Sequence, residues 1–308
     1  MCMKIIMYHY IRDYSKSFPN LKFLKRENFI KQLDYFENKY GIANLQDWKN
    51  LFKNKESKSN KVLLTFDDGL KEHYDFVFKE LKKRDKVGLF FIPTKIFEKN
   101  GFLDVHKIHL LLAKIDIKLL FTQLKSELKK IKIRKFKNDK LFMNSYDKQK
   151  EVESVKKFKR ILNYQLDSAI SSKIVKKLIK LNNIYLNKKN FYLSKKNIKE
   201  MSNQNMLIGS HTNSHPVLSN LSKKKQKNEI TKSVNILKKI LNKKVNVFSY
   251  PYGIKDTFNM NTFEILKANN IEFAFKANFD INSFYNQKYK NFNTPRNDCN
   301  KFKHGQCE

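Results

Sequence analysis

The stretch KVLLTFDDG, residues 61–69, joins a run of apolar and β-branched residues to two adjacent carboxylates. Val62–Phe66 has the length and composition of a strand buried on both faces, which is typical of parallel sheets. Asp67 and Asp68 follow at its carboxyl end, where parallel barrels collect their catalytic groups. Because side chains alternate along an extended backbone, the two carboxylates should point in different directions. One could then hold a metal while the other faces a substrate; the alternative is a capping turn that opens the next helix.

Strands and helices alternate on both sides of this stretch. Apolar runs predict further strands at residues 5–7, 87–94, 206–212, 245–253 and 271–278. With amphipathic helices between them, these strands predict an α/β fold built on a parallel sheet or barrel. A long Lys-rich segment with helical periodicity interrupts the pattern. We interpret residues 105–189 as a helical insertion that could cover the active site as a lid, and residues 1–104 and 190–308 as the barrel.

The formal net charge of +35 raises the question of a nucleic-acid partner. The excess is mostly lysine spread along the whole chain, and no Arg-rich arm, zinc finger or RNP-like strand accompanies it. Nucleic acid is therefore not the predicted partner, and attraction to anionic lipids or phosphates is favoured over it. The sequence shows no signal peptide and no stretch apolar enough to span a membrane. We expect a cytoplasmic protein, with the inner face of the membrane as an alternative position.

A second polar motif, SHTNSHP, covers residues 210–216 and follows another predicted strand. His211 and His215 are four residues apart, so a single turn or bend can bring their imidazoles together. Two histidines with one carboxylate are a common ligand set for a first-row metal, with open positions left for water and substrate. The alternative is a pair of histidines that only make hydrogen bonds.

A third motif, FSYPYG, covers residues 248–253, and its proline and glycine predict a tight turn after a strand. Such a turn can present a backbone N–H to a developing oxyanion. The order TFDDG, HTNSHPVLSNLS and FSYPYG, each after a strand, resembles the polysaccharide deacetylase (NodB homology) family of carbohydrate esterases. The resemblance covers roughly residues 1–100 and 190–300 and leaves the helical segment unexplained.

The resemblance implies a distorted (β/α)7 barrel and a divalent metal, usually Zn²⁺. The metal ligands would be Asp68, His211 and His215, which match the second aspartate of the first motif and both histidines of the second. Asp67 would be the catalytic base, and the backbone N–H of Tyr252 would stabilise the oxyanion. A metal in this position polarises the substrate carbonyl and acidifies a bound water.

The third motif departs from the commonest family pattern. Many members have an arginine where this chain has Ser249. The FSYPYG form is similar to a branch of poly-N-acetylglucosamine deacetylases, in which a later Pro-Arg can supply the cation that orients the base. The matching pair here is Pro295 and Arg296, so Arg296 is the predicted partner of Asp67. The alternative for Arg296 is a surface position with no role.

The general acid is the second departure, because the usual C-terminal Leu-x-x-His is absent and His304 lies in a polar tail. In the same branch the acid histidine comes from the first strand, and MYHYI, residues 7–11, matches that motif. His9 is therefore the predicted acid, with plain packing as the alternative. His106 and His109 have the spacing of a further metal site, but HKIHLLLA is better explained as the start of an amphipathic helix.

These residues predict a metal-dependent hydrolase that acts on C–N bonds other than peptide bonds. It would remove N-acetyl groups from an N-acetylated sugar in a polysaccharide or glycolipid, in the synthesis of a cell-surface polysaccharide or glycolipid. The insertion and its lysines could meet a lipid-linked sugar or an anionic membrane. Close alternatives are an O-acetyl esterase or a deformylase on the same fold. An alternative of another class is a catalytically silent protein that binds carbohydrate or nucleic acid.

Overall fold

The computed structural model describes residues 4–53, 60–131, 145–146, 151–277 and 287–308. Seven parallel strands form a closed barrel in the order of the chain. They are β1 Lys4–Tyr8, β2 Val62–Phe66, β3 Gly88–Ile92, β4 Leu207–Ser210, β5 Val247–Ser249, β6 Phe273–Ala277 and β7 Thr294–Asp298. The expected (β/α)7 barrel is thus confirmed. Part of the predicted insertion, residues 132–144 and 147–150, lies outside the described residues.

Helices connect the strands and surround the barrel. Those outside the β3–β4 connection are α1 Arg26–Lys39, α2 Leu45–Phe52, α3 Lys79–Lys83, α10 Lys223–Leu241 and α11 Met260–Ala268. Those within that connection are α4 Asp104–Lys114, α5 Ile117–Lys130, α6 Glu153–Arg160, α7 Ser168–Leu181, α8 Lys188–Phe191 and α9 Lys195–Asn203. Two π-helical segments, His73–Phe78 and Ile161–Gln165, precede α3 and follow α6. Within the described ranges, no helix combines the length and apolarity needed to cross a bilayer.

The barrel closes through β7, which pairs with β6 on one side and with β1 on the other. No pattern in the sequence predicts this strand, because TPRND is polar and contains a proline that cannot donate to a ladder. Ala277 is in register with Arg296, and Ile6 is in register with Asn297. Strand pairing on both sides therefore holds a segment whose composition is typical of a loop.

Alternation along the strands separates two apolar cores. One cluster joins buried side chains from five strands with Trp48 of α2, and it fills the barrel interior with residues such as Leu63, Phe91 and Phe275. Their neighbours in the chain, such as Leu64 and Phe90, belong to a larger cluster shared with the surrounding helices.

The helices between β3 and β4 pack onto the barrel rather than around a core of their own. Leu111 of α4 and Leu178 of α7 belong to the same buried cluster as Ile6 and Phe66 of the barrel strands. The contact between α4 and α7 is the main helix pair within this connection. The barrel and these helices thus bury one continuous apolar surface.

Phe275 tests the barrel interior, because its ring is fully buried and lies 5.3 Å from the ring of Phe91. Phe275→Ala is expected to lower the free energy of unfolding by about 3–5 kcal/mol, from the lost transfer energy and the cavity left behind. Urea denaturation measures the change. Tyr185→Ala removes an aromatic side chain that is 79% exposed and should change stability by under about 0.5 kcal/mol. Equal losses in both variants would contradict this description of the core.

Candidate active site

The candidate site lies at the carboxyl ends of β2, β4 and β5, where the backbone adopts an unusual conformation. Asp68, Thr212, His215 and Tyr252 have φ angles of 78°, 63°, 63° and 62°. Residues with a side chain seldom adopt this left-handed region, and the strain is usually retained where function needs it. The sharp bends turn the chain back at each strand end, so that polar side chains from different strands meet.

Asp68, His211 and His215 form a compact cluster. Asp68 Oδ1 lies 3.6 Å from His211 Nε2 and 3.5 Å from His215 Nε2. One ligand atom from each of the three residues falls within 4.8 Å of the others, and all three side chains are buried. The structure therefore brings together the three residues that the sequence predicts as metal ligands.

The hydrogen bonds and protonation states of the cluster fit a divalent metal. Asp68 Oδ1 is buried without a hydrogen-bond partner among the described residues. His211 Nδ1 lies 2.8 Å from the Ser249 carbonyl, which can only accept, so the proton sits on Nδ1 and Nε2 keeps its lone pair. Burial lowers the pKa of His211 and lowers the pKa of His215 to about 3, so both rings are neutral near pH 7. Neutral imidazoles and a carboxylate are the forms that bind metal.

Asp67 forms a bidentate ion pair with Arg296. The two guanidinium nitrogens Nη1 and Nη2 lie 2.7 and 2.8 Å from the two carboxylate oxygens. Arg296 also donates to the hydroxyls of Thr65 and Ser249, at 3.2 and 2.8 Å. Burial by itself would raise the pKa of Asp67, but the charges of Arg296 and His211 outweigh it and lower the pKa below its ordinary value. Asp67 is therefore an ionised carboxylate fixed in orientation.

His9 lies at the mouth of the site. Its Nε2 is 4.0 Å from Asp67 Oδ2, and its side chain is 41% exposed. The backbone carbonyl of His9 is 2.8 Å from Nε2 of the buried His73, which holds the end of β1 in place. His9 therefore lies between the Asp67 carboxylate and the solvent.

The turn at Tyr252 is tight and lies beside the cluster. Gly253 N–H donates to the Pro251 carbonyl at 2.7 Å, which makes a three-residue γ-turn centred on Tyr252. A side chain at Gly253 would place its Cβ 2.7 Å from Ala277 N, so the turn requires glycine there. The Tyr252 ring lies 5.0 Å from the His215 ring, and no acceptor for its backbone N–H is found in the described residues.

Sequence reasoning missed two residues that support the cluster. His106 of α4 lies 3.1 Å from Asp68 Oδ2, although its helical surroundings favoured a packing role. Glu229 of α10 accepts the backbone N–H groups of Asn213 and Ser214 at 3.1 and 2.7 Å, and so holds the histidine loop. The i, i+3 pair of histidines was a weak signal for His106. No signal in the sequence pointed to Glu229, because it is one polar residue on a lysine-rich helix.

Arg296→Met is expected to destabilise the fold by about 3–5 kcal/mol at pH 7, because it leaves the Asp67 carboxylate buried without a partner. Urea denaturation measures the loss, and the double variant Asp67→Asn/Arg296→Met should recover most of it.

The loss caused by Arg296→Met should also depend on pH. In the native protein the lowered pKa of Asp67 adds stability above its unfolded value of about 3.9, and this contribution fades as pH falls through the lower folded value. Without Arg296, burial raises the pKa of Asp67, so protonation should reduce the deficit as pH falls toward about 4. A deficit that is independent of pH and unchanged in the double variant would show that the pair is not the cause.

Two comparisons of sequence bear on the family. A profile described as polysaccharide deacetylase matches residues 169–274, about a third of the chain. This range includes both histidines of the cluster and the FSYPYG turn, but not the DDG motif. A search of curated proteins found no match.

Solved structures with the same fold include three bacterial proteins. The Streptococcus pyogenes deacetylase PplD in complex with acetate has a TM-score of 0.57 at 18% identity, over 96% of this chain and 91% of its own. The de-N-acetylase from Aggregatibacter actinomycetemcomitans has a TM-score of 0.56 at 14% identity, over 96% and 93%. IcaB from Ammonifex degensii has a TM-score of 0.52 at 19% identity, over 89% and 83%. At these identities the likeness shows the fold alone, and the likeness to the polysaccharide deacetylase family rests on the profile match to residues 169–274.

Proposed function

We propose that this chain is a metal-dependent deacetylase that removes N-acetyl groups from an N-acetylated sugar of a polysaccharide or glycolipid. The observation that carries the proposal is that two adjacent carboxylates have different partners. Asp68 faces two neutral imidazoles, whereas Asp67 is bound to a guanidinium. One carboxylate is thus arranged to hold a cation, and the other is kept ionised as a base. The family profile and the shared barrel support the same reaction class.

The proposed metal ligands are Asp68, His211 and His215, and Zn²⁺ is the proposed ion. When bound, it would polarise the acetamide carbonyl and acidify a water molecule. Asp67 is the proposed base that accepts a proton from that water. Arg296 holds the Asp67 carboxylate in one orientation and keeps it ionised until the proton arrives.

Tyr252 and His9 are the proposed groups for the later steps. The backbone N–H of Tyr252 would donate to the oxyanion of the tetrahedral intermediate. His9 would then protonate the leaving amine, because an amide anion is too basic to depart alone. The exposed position of the His9 ring at the mouth of the site suits contact with a sugar nitrogen.

Residues 105–189 are proposed to act as an insertion that limits the substrate. Tyr164, which follows α6, places its ring 5.1 Å from the Tyr252 ring, so this segment reaches the turn beside the cluster. We also place the chain in the branch of the family with the FSYPYG motif. The proposed substrate is a lipid-linked or polymeric N-acetylated sugar. The proposed setting is cytoplasmic or membrane-peripheral, with lysines against anionic groups.

Acetate release from N-acetylated glycans tests the proposal. Treatment with a chelator should abolish release, and added Zn²⁺ should restore it, because the carbonyl would otherwise lack its electrophile. Asp67→Asn should lower kcat by about 10²–10⁴-fold with little change in Zn²⁺ affinity, since the base is lost and the ligands remain. Activity that survives both chelator and Asp67→Asn would contradict the mechanism. Glycan binding without release from any acetylated sugar would favour a catalytically silent binding protein.

His9→Ala separates amide from ester chemistry. Loss of the acid should reduce N-acetyl hydrolysis by about 10²–10⁴-fold but O-acetyl hydrolysis much less, because an alkoxide leaves more easily than an amine anion. His304→Ala is the matched control, since His304 lines a separate groove with Tyr35 and Lys39. An equal loss of ester and amide hydrolysis, or a loss in the control only, would show that His9 is not the acid and would favour a packing role. A native preference for O-acetyl or formyl groups would favour the esterase or deformylase alternative.

A further inference from the structure

We propose that His106 is a positioning residue of the metal centre, which orients the Asp68 carboxylate and couples metal binding to the docking of the helical segment between β3 and β4. The inference rests on the proposed metal site and extends it, because His106 comes from outside the three motifs. His106 does not touch the proposed reacting atoms. It would act through Asp68.

The two carboxylate oxygens of Asp68 have different neighbours. His106 Nε2 lies 3.1 Å from Asp68 Oδ2, and the His106 side chain is fully buried. The other oxygen, Oδ1, is the one without a hydrogen-bond partner in the described structure, and it faces the Nε2 atoms of His211 and His215. One oxygen is thus held by the protein, and the other is left for an ion.

A chain of hydrogen bonds sets the tautomer of His106. Leu103 N–H donates to the Tyr192 hydroxyl at 3.2 Å, and that hydroxyl lies 2.6 Å from His106 Nδ1. Since the Asp68 carboxylate can only accept, the His106 proton that faces it lies on Nε2, and Nδ1 accepts from the Tyr192 hydroxyl. His106 therefore donates to Asp68, as an outer-shell partner of a metal-ligating carboxylate should.

Both ends of the helical segment meet at the Asp68 loop. His106 lies in the first turns of α4, and Tyr192 directly follows α8, so the two lie at opposite ends of the segment from α4 to α8. Beyond Asp68, Leu193 N–H donates to the Gly69 carbonyl and Lys71 N–H donates to the Phe191 carbonyl, both at 2.9 Å. We call these contacts, made by His106 and residues 191–193 to residues 68–71, the clasp.

The clasp links metal affinity to the position of the segment. If an ion binds more tightly when Asp68 is held by His106, then by linkage the bound ion must stabilise the clasp to the same degree. Partners of this kind typically change metal affinity by about 10–100-fold. The insertion would then be docked most firmly when the site is loaded.

Two amide variants of His106 test the contact. His106→Gln can place its amide N–H near the position of Nε2, whereas the shorter His106→Asn overlays Nδ1 and cannot reach Asp68. In competition with a chromophoric chelator, the full-length His106→Asn protein should bind Zn²⁺ about 10–100-fold more weakly than the native protein, and His106→Gln should recover much of the loss. His109→Gln is the control, because His109 lies on the same helix and contacts Tyr10 rather than Asp68.

The Co²⁺ spectrum and amide hydrogen exchange distinguish a positioning role of His106 from a purely structural one. The visible spectrum of the Co²⁺-loaded protein should change in His106→Asn and not in His109→Gln. Metal should slow amide exchange at residues 191–193 in the native protein, and this protection should be reduced in His106→Asn. If His106→Asn does not fold, Tyr192→Phe replaces it and should weaken Zn²⁺ binding several-fold, because the His106 ring loses the hydroxyl that holds its Nδ1.

The outcomes distinguish the two proposals. A native protein that binds neither Zn²⁺ nor Co²⁺ would overturn the proposed metal centre itself. Tight binding by the native protein with unchanged affinity and spectrum in His106→Asn, or in Tyr192→Phe where that variant replaces it, would overturn the role of His106 alone.

Discussion

The buried ion pair between Asp67 and Arg296 is the contact on which the rest of the site depends. It joins the end of β2 to β7, the strand that closes the barrel. An unpaired charge in this interior would be costly, so loss of one partner destabilises the fold. The Arg296 guanidinium also lies 5.3 Å from the centre of the Phe91 ring, at the boundary between the apolar interior and the polar end. The contact that orients the proposed base therefore also ties the closing strand to the end of β2.

Around this pair, strained backbone is held in place by hydrogen bonds from neighbouring elements. The histidine loop contains two left-handed residues, and Glu229 holds it through the backbone and side chain of Ser214. The carbonyl of Ser249 fixes the ring of His211, and His106 fixes the carboxylate of Asp68. Conformations that cost free energy persist only when the surroundings over-determine them. The candidate site has strained backbone of this kind after each of the strands β2, β4 and β5.

The fold could be predicted to a large extent from periodicity, and the failures have local causes. Six of the seven strands follow from apolar runs, since a strand buried on both faces leaves a continuous hydrophobic signal. β7 has no such signal, because Arg296 and its polar neighbours are paired by the adjoining strands rather than by composition. The helix expected after the DDG motif begins with a π-helical stretch, His73–Phe78, which brings His73 to the His9 carbonyl. Such a local change of helix type carries no pattern in the residues.

The sequence by itself determined the kinds of candidate site residues in the three motifs and their places at strand ends. Adjacent aspartates after a strand are expected to diverge, because side chains alternate along an extended backbone. In the structure the left-handed φ of 78° at Asp68 sets the direction of its side chain. Only the tertiary structure decided which atoms meet. Arg296 reaches Asp67 across 229 positions of the chain, and His106 reaches Asp68 across 38. The first contact depends on how β7 closes the barrel and the second on how α4 docks against it. Periodicity records only the environment of each residue, whereas these contacts depend on the path of the whole chain.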